Sequence, residues 1–172
     1  MRRGWAATRL VPGMLALALA VCCQARLPVA AAGDVWNMTF LGHLGGAATA
    51  VVSSGSRFFV GVGPRLLVLD ASAPTLPVLG RSQPLPGRIA GIAVDGNRAY
   101  VAASDGGLHI LDIATSGEAA EVGSATFDGD AAGIAIAGSH ALVVDGTQGL
   151  RVFDVSTPAA PVQVALLPIE GE

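Results

Sequence analysis

The sequence predicts an all-β fold, an array of three four-stranded antiparallel blades with about 42 residues each. Three observations predict it. The blocks Leu66–Asp70 (LLVLD), Leu108–Asp112 (LHILD) and Leu150–Asp154 (LRVFD) recur with the same flanking features, which is the signature of tandem structural repeats. The apolar runs are short, rich in Val, Ile and Leu, and broken by Gly, Pro or Asp-Gly, so strands fit them and helices do not. Segments such as Ile89–Val94 (IAGIAV) are apolar or small at successive positions, so both faces of the strand must be covered.

Each repeat has the same internal order. A small-residue strand opens it, at Ala48–Ser53, Ile89–Val94 and Ala131–Ile136, and a turn follows at Gly55, Gly96 and Gly138. The second strand is expected over Phe58–Val62, Ala99–Ala103 and Ala141–Val144, and the third is the aligned block. The turns Ala71–Pro74, Ile113–Ser116 and Val155–Pro158 come next. A fourth strand is expected at Val78–Leu79, Glu121–Phe127 and Val162–Leu167. The repeats are thus bounded at 48–88, 89–130 and 131–172. Four-stranded sheets stacked around an axis, with small residues on the inner strands, meet the demand for two covered faces and give a propeller-like array.

The blocks LLVLD, LHILD and LRVFD, the paired prolines Pro74/Pro77 and Pro158/Pro161, and the Gly-led entry to the second strand resemble the LVIVD repeats of bacterial propeller-type proteins. The resemblance spans about residues 48–172. It implies an extracytoplasmic binding or structural module and implies no reaction. Repeat two departs from the pattern, with Ser116 and Ala119 in the proline positions, which puts its third-to-fourth-strand turn in question.

Three blades do not close a ring, since propellers have at least about four. The array therefore reads as an incomplete propeller, and both terminal blades are expected to expose an apolar face. Such faces favour self-association, or continuation into further blades. Residues 33–47 precede the first blade and hold one outer-type strand, Thr39-Phe40-Leu41.

Residues 1–32 read as a signal peptide. Arg2, Arg3 and Arg9 form a basic start, Leu10–Cys23 is apolar, and Val29-Ala30-Ala31-Ala32-Gly33 offers a small-residue cleavage site after Ala32, with Ala25 as the alternative. The apolar stretch is shorter than the roughly 20 residues that a membrane span needs, so no span is expected in the mature chain. Leu19-Ala20-Val21-Cys22 approaches a lipoprotein box, but Val21 stands where a small residue belongs, so anchoring at Cys22 is the lesser expectation. The mature chain would be secreted, periplasmic or at the cell surface.

Cleavage after Ala32 would leave six Arg, no Lys and no Cys against all thirteen Asp and Glu. An acidic exported domain excludes nucleic acid as a partner, because phosphates require a basic footprint. Without Cys, stability must come from burial instead of disulfides.

The repeated Asp70, Asp112 and Asp154 end the third strand just before a turn. A carboxylate there is placed to accept backbone N–H groups two residues on, a structural role. His43, His109 and His140 occupy three different repeat positions and lack zinc-site spacing. Gly61-Val62-Gly63 falls short of a dinucleotide fingerprint, since Leu66 replaces the third Gly and a strand follows.

One acidic constellation remains. Loops from the second to the third strand and loops between blades lie on one rim, which would carry Asp105, Asp128, Asp130 and Asp145. Four carboxylates could hold calcium, while the plainer reading is that Asp-Gly pairs make tight turns. No other cofactor is expected. The leading function is a non-catalytic binding or scaffolding module for a protein or small ligand. The alternatives are an exported propeller hydrolase or lactonase with a cation-dependent site, and a structural spacer in a larger surface protein.

Overall fold

The computed structural model describes residues 47–114 and 118–169, which all fall within the compact unit Leu41–Glu172. The expected leader, the expected strand at residues 39–41 and part of the second repeat's turn, residues 115–117, lie outside the described residues.

Each repeat is a four-stranded antiparallel meander. Blade 1 comprises β1 (Ala48–Ser54), β2 (Arg57–Val62), β3 (Arg65–Asp70) and β4 (Val78–Ser82). Blade 2 comprises β5 (Ile89–Asp95), β6 (Arg98–Ala103), β7 (Gly107–Asp112) and β8 (Glu118–Ala125), with a 3-10 turn at Ser104–Gly106. Blade 3 comprises β9 (Ala131–Ala137), β10 (His140–Asp145), β11 (Gly149–Asp154) and β12 (Val162–Leu167). The first hairpin of every blade turns at Gly55, Gly96 or Gly138, whose φ values of 57°, 54° and 60° are left-handed and favour glycine.

The repeat extends to its irregularities. The pairing of the third with the fourth strand shifts register between Val68 and Leu69, between Ile110 and Leu111, and between Val152 and Phe153. These are the same position in each copy. The inner pair shifts between Ala48 and Ala50 and between Ile89 and Gly91, and blade 3 repeats it between Val144 and Asp145. Bulges increase local twist, so each blade is twisted at the same two places.

The first strands of successive blades converge. Thr49 on β1 donates its hydroxyl to the Ile89 carbonyl on β5. A Cβ built on Gly91 would lie 2.9 Å from the Gly133 Cα, so the backbones of β5 and β9 touch where both lack side chains. β1, β5 and β9 are thus the inner strands, and β4, β8 and β12 the outer ones.

Two apolar layers separate the three blades, and β6 feeds both by strict alternation. Ala99 and Val101 face blade 1, with Phe59, Leu66, Val68, Leu85 and Ile89. Tyr100 and Ala102 face blade 3, with Ala141, Val143 and Phe153. On β7, Leu111 enters the first layer while Leu108 and Ile110 enter the second. Each fully buried Leu, Ile or Phe contributes about 1.5–3 kcal/mol. The described residues contain no Cys, so these layers hold the array together.

Blades 1 and 2 are also linked by hydrogen bonds, which the repeat pattern did not suggest. β4 runs on to Ser82, and β8 starts as early as Glu118. Their ends pair in parallel, Arg81 with Glu118 and Ser82 with Ala119, which makes one eight-stranded sheet. Ser82 fixes the junction: its buried hydroxyl accepts the Leu66 amide at 2.9 Å and donates to the Gln83 carbonyl at 2.7 Å. The Gln83 side chain then bonds Glu118. Blade 3 remains a separate four-stranded sheet.

Candidate functional site

The repeated aspartates close turns. Asp70 Oδ1 accepts the Ser72 amide at 2.8 Å and its hydroxyl at 2.6 Å. Asp112 Oδ1 accepts the Ala114 amide at 2.8 Å, and Asp154 Oδ1 accepts the Ser156 amide at 2.8 Å. The residue after each Asp donates its own amide to the first hairpin of the blade, Ala71 to Ser56, Ile113 to Asn97 and Val155 to Ser139. The hydroxyl and amide of Ser72 hold the Asp70 carboxyl below its usual value, as the amide and hydroxyl of Ser156 do for Asp154. These carboxylates are committed to backbone geometry.

The rim expected to carry four carboxylates has a different chemistry. Asp145, at the end of β10, is buried and bonded on both oxygens. Oδ1 accepts the Thr147 hydroxyl at 2.7 Å and the Thr147 amide at 2.9 Å. Oδ2 accepts Arg151 Nε at 2.8 Å. Burial alone would raise its pKa, but the bonds from Thr147, Arg151 and the Asp130 amide outweigh it and hold the carboxyl well below the usual range. Asp128 contributes its main-chain carbonyl, to Arg151 Nη2 at 2.9 Å and Gln148 Nε2 at 3.0 Å. Asp130 contributes its amide to Asp145 and its carbonyl to Gly146. Asp105 stands at the previous junction, in the 3-10 turn whose amides border Gly87.

The loops carrying Asp128, Asp130 and Asp145 therefore do meet, but an arginine from β11 fills the place where a cation would sit. Its guanidinium also lies 4.3 Å over the Phe127 ring and donates to Gln163 at 3.0 Å. Among the described residues, no group of three or more His, Cys, Asp or Glu side chains is arranged to hold a metal ion. The sequence contained one signal for this network. Arg151 occupies the position of Leu67 and His109 in the aligned blocks, and a charge at an inward-facing strand position needs a buried partner.

His109 uses that same position in blade 2. It is buried, with Nδ1 2.8 Å from Glu121 Oε1. Its Nε2 has no hydrogen-bond partner and sits beside Gly106. His140 is exposed next to Ser139, and His43 lies outside the described residues. Between blades 1 and 2, a pocket of about 240 Å³ is lined by Ser82, Leu85, Leu111, Glu118 and Glu121.

Among the described residues, blade 3 leaves a broad apolar surface. Aligning the blades by strand register puts Leu142, Val144, Leu150 and Val152 of blade 3 where blade 1 has Phe59, Gly61, Leu66 and Val68. Blade 2 has Tyr100, Ala102, Leu108 and Ile110 there. In blades 1 and 2 these positions seat the next blade; in blade 3 they face outward. Val144 is 46% exposed, and Leu167 beside Leu150 is 50% exposed. On the side of blade 1 away from blade 2, Val60 is 7% and Leu69 1% exposed, while their cross-strand neighbours Val51 and Val78 are 70% and 47% exposed, so that face is open in part.

Comparisons with known proteins agree with this architecture. The sequence matches the LVIVD repeat three times, over residues 45–82, 86–126 and 128–165. No curated protein matches it in sequence. In structure it is similar to the computationally designed Ika4 protein, at 18% identity and a TM-score of 0.60, with 76% of each chain covered. It is also similar to the β-propeller domain of Cps50 (Swd1) from Myceliophteria thermophila, at 14% identity and a TM-score of 0.62. That match covers 73% of this chain but 40% of the other. At these identities the likeness speaks for the propeller fold alone. With three matched repeats spanning more than half of its length, the chain belongs to the LVIVD-repeat family.

Proposed function

We infer that this chain is an exported, non-catalytic propeller-repeat module that binds or scaffolds another protein. The observation that carries the reading is the outward face of blade 3, an apolar sheet surface at positions that the other two blades bury. Contiguous exposed apolar surface of this kind marks interaction sites. The basic start, apolar stretch and small-residue cleavage site of residues 1–32 support export. The acidic balance of the remainder supports a protein partner over nucleic acid.

The test places a photo-crosslinking amino acid at position 144 in the full chain, expressed in an exporting host. The expected result is a covalent protein adduct on an extracytoplasmic chain that begins at Gly33. A folded chain that gives no adduct would overturn the binding reading, and an uncleaved cytoplasmic chain would overturn export. Incubation with a panel of esters and lactones is expected to give no turnover.

A further inference from the structure

We propose that the cavity between blades 1 and 2 is a docking site for an arginine side chain of a partner protein. The site is separate from the blade 3 face and goes beyond the reading above.

The second junction shows what this position takes. There the Arg151 guanidinium lies 4.3 Å over the Phe127 ring and donates to Gln163 at 3.0 Å. Each of these residues has a counterpart at the first junction. His109 replaces Arg151 in the aligned blocks. Glu121 replaces Gln163, since it pairs with Leu111 as Gln163 pairs with Phe153. Leu85 replaces Phe127, each standing four residues before the first strand of the next blade. The imidazole is shorter than an arginine side chain, and it stays buried while reaching Glu121 through Nδ1. A cavity of about 240 Å³ remains, walled by Leu85 and Glu121, the counterparts of two groups that hold the guanidinium at the second junction.

The chemistry of the cavity matches a guanidinium from outside the chain. Leu85, Leu111 and Ala119 are buried and give it an apolar floor, and Glu118 and Glu121 give it two carboxylates. Each carboxylate spends Oε1 within the chain, Glu118 on Gln83 and Glu121 on His109, which leaves Oε2 to accept from a ligand. At the second junction the arginine is balanced by Asp145, whose place at the first is taken by Ala103. The acids of the first junction stand in the cavity wall instead. Arg65 is committed to the Ser82 carbonyl at 3.0 Å. Arg81, beside Glu118 in register, forms no ion pair with it among the described residues.

A guanidinium lays its flat, weakly hydrated face on apolar side chains and aims its N–H donors at carboxylates in one plane. The ammonium of lysine is compact and strongly hydrated, so the apolar floor suits it less. Calcium asks for six or more oxygen ligands, which this floor does not offer.

The test is a methyl NMR titration of the host-processed chain with the capped peptide acetyl-Gly-Arg-Gly-amide. Matching peptides carry citrulline, the neutral isostere, or lysine in place of arginine. The arginine peptide is expected to give saturable shifts at the methyls of Leu85, Leu111 and Ala119. The citrulline peptide is expected to shift none of them, and the lysine peptide to bind more weakly. Glu121→Gln, which installs the side chain that blade 3 has there, and Glu118→Gln are each expected to weaken arginine binding by about fivefold. Both positions are exposed, so the melting temperature is expected to hold. No saturable shift, equal binding of the citrulline or lysine peptide, shifts confined to other methyls, or binding unchanged in both variants would each overturn the proposal. Cross-linking from position 144 reports on the blade 3 face, so the two readings fail separately.

Discussion

Arg151 and Asp145 form a buried ion pair, Nε to Oδ2 at 2.8 Å, at the rim where blade 3 joins blade 2. The pair binds two segments at once: Asp145 takes the Thr147 turn, and Arg151 takes the inter-blade segment through the Asp128 carbonyl and the Phe127 ring. Breaking a buried pair from one side leaves an uncompensated charge, at a cost of about 3–5 kcal/mol. Asp145→Ala is expected to lower stability by about that amount in chemical denaturation. Arg151→Lys, which keeps charge but loses the planar fork and the stacking on Phe127, is expected to fall between wild type and Asp145→Ala.

The same pair makes the fold acid-sensitive. Asp145 has a lower pKa folded than unfolded, so its contribution is fully present above the unfolded value of about 4. It is lost as pH falls below that value toward the folded one. Denaturation midpoints measured from pH 6 downward are expected to drop below about pH 4. Asp145→Asn is expected to show a shallower decline over the same window.

The inner-strand contact gives a test of blade convergence. Gly91→Ala puts a methyl against the Gly133 backbone, where a Cβ would have 2.9 Å, and the strands must separate. A loss of about 1–3 kcal/mol is expected, as for other overpacked sites. Gly133→Ala is the control, since its Cβ meets only Val144, at 3.9 Å. It is expected to change the melting temperature little.

The aspartate turns should behave alike because they are copies. Asp70→Ala, Asp112→Ala and Asp154→Ala each remove a bond to the amide two residues on. Each is expected to lower the melting temperature by a similar, small amount. Asn at the same positions keeps an acceptor oxygen and is expected to recover most of the loss.

The fold was legible in the sequence because its signals are local and repeated. Strand length, the hairpin glycines and the small residues of the first strands are all readable without knowing the neighbours, and the copies vouch for one another. The parallel link from Arg81–Ser82 to Glu118–Ala119 was not legible, because it depends on how far two distant strands extend toward each other. The same holds for the rim. Asp-Gly pairs located the loops, and Asp128, Asp130 and Asp145 do gather there. Their chemistry depends on which way Arg151 points from β11, and alternation along that strand sends it inward to Asp145. Of the two readings of these aspartates, tight turns and a calcium site, the hydrogen bonds of Asp145 fit the first, and Arg151 adds a cation that the Asp-Gly pairs alone do not reveal.

The most direct check on the blade 3 face is methyl NMR of the folded chain alone with a soluble paramagnetic agent. The methyl groups of Val144 and Leu150 should relax more strongly than those of Val101 and Ile110 inside the array. Equal shielding of all four in the chain alone would contradict the account, because blade 3 would then present no open apolar face.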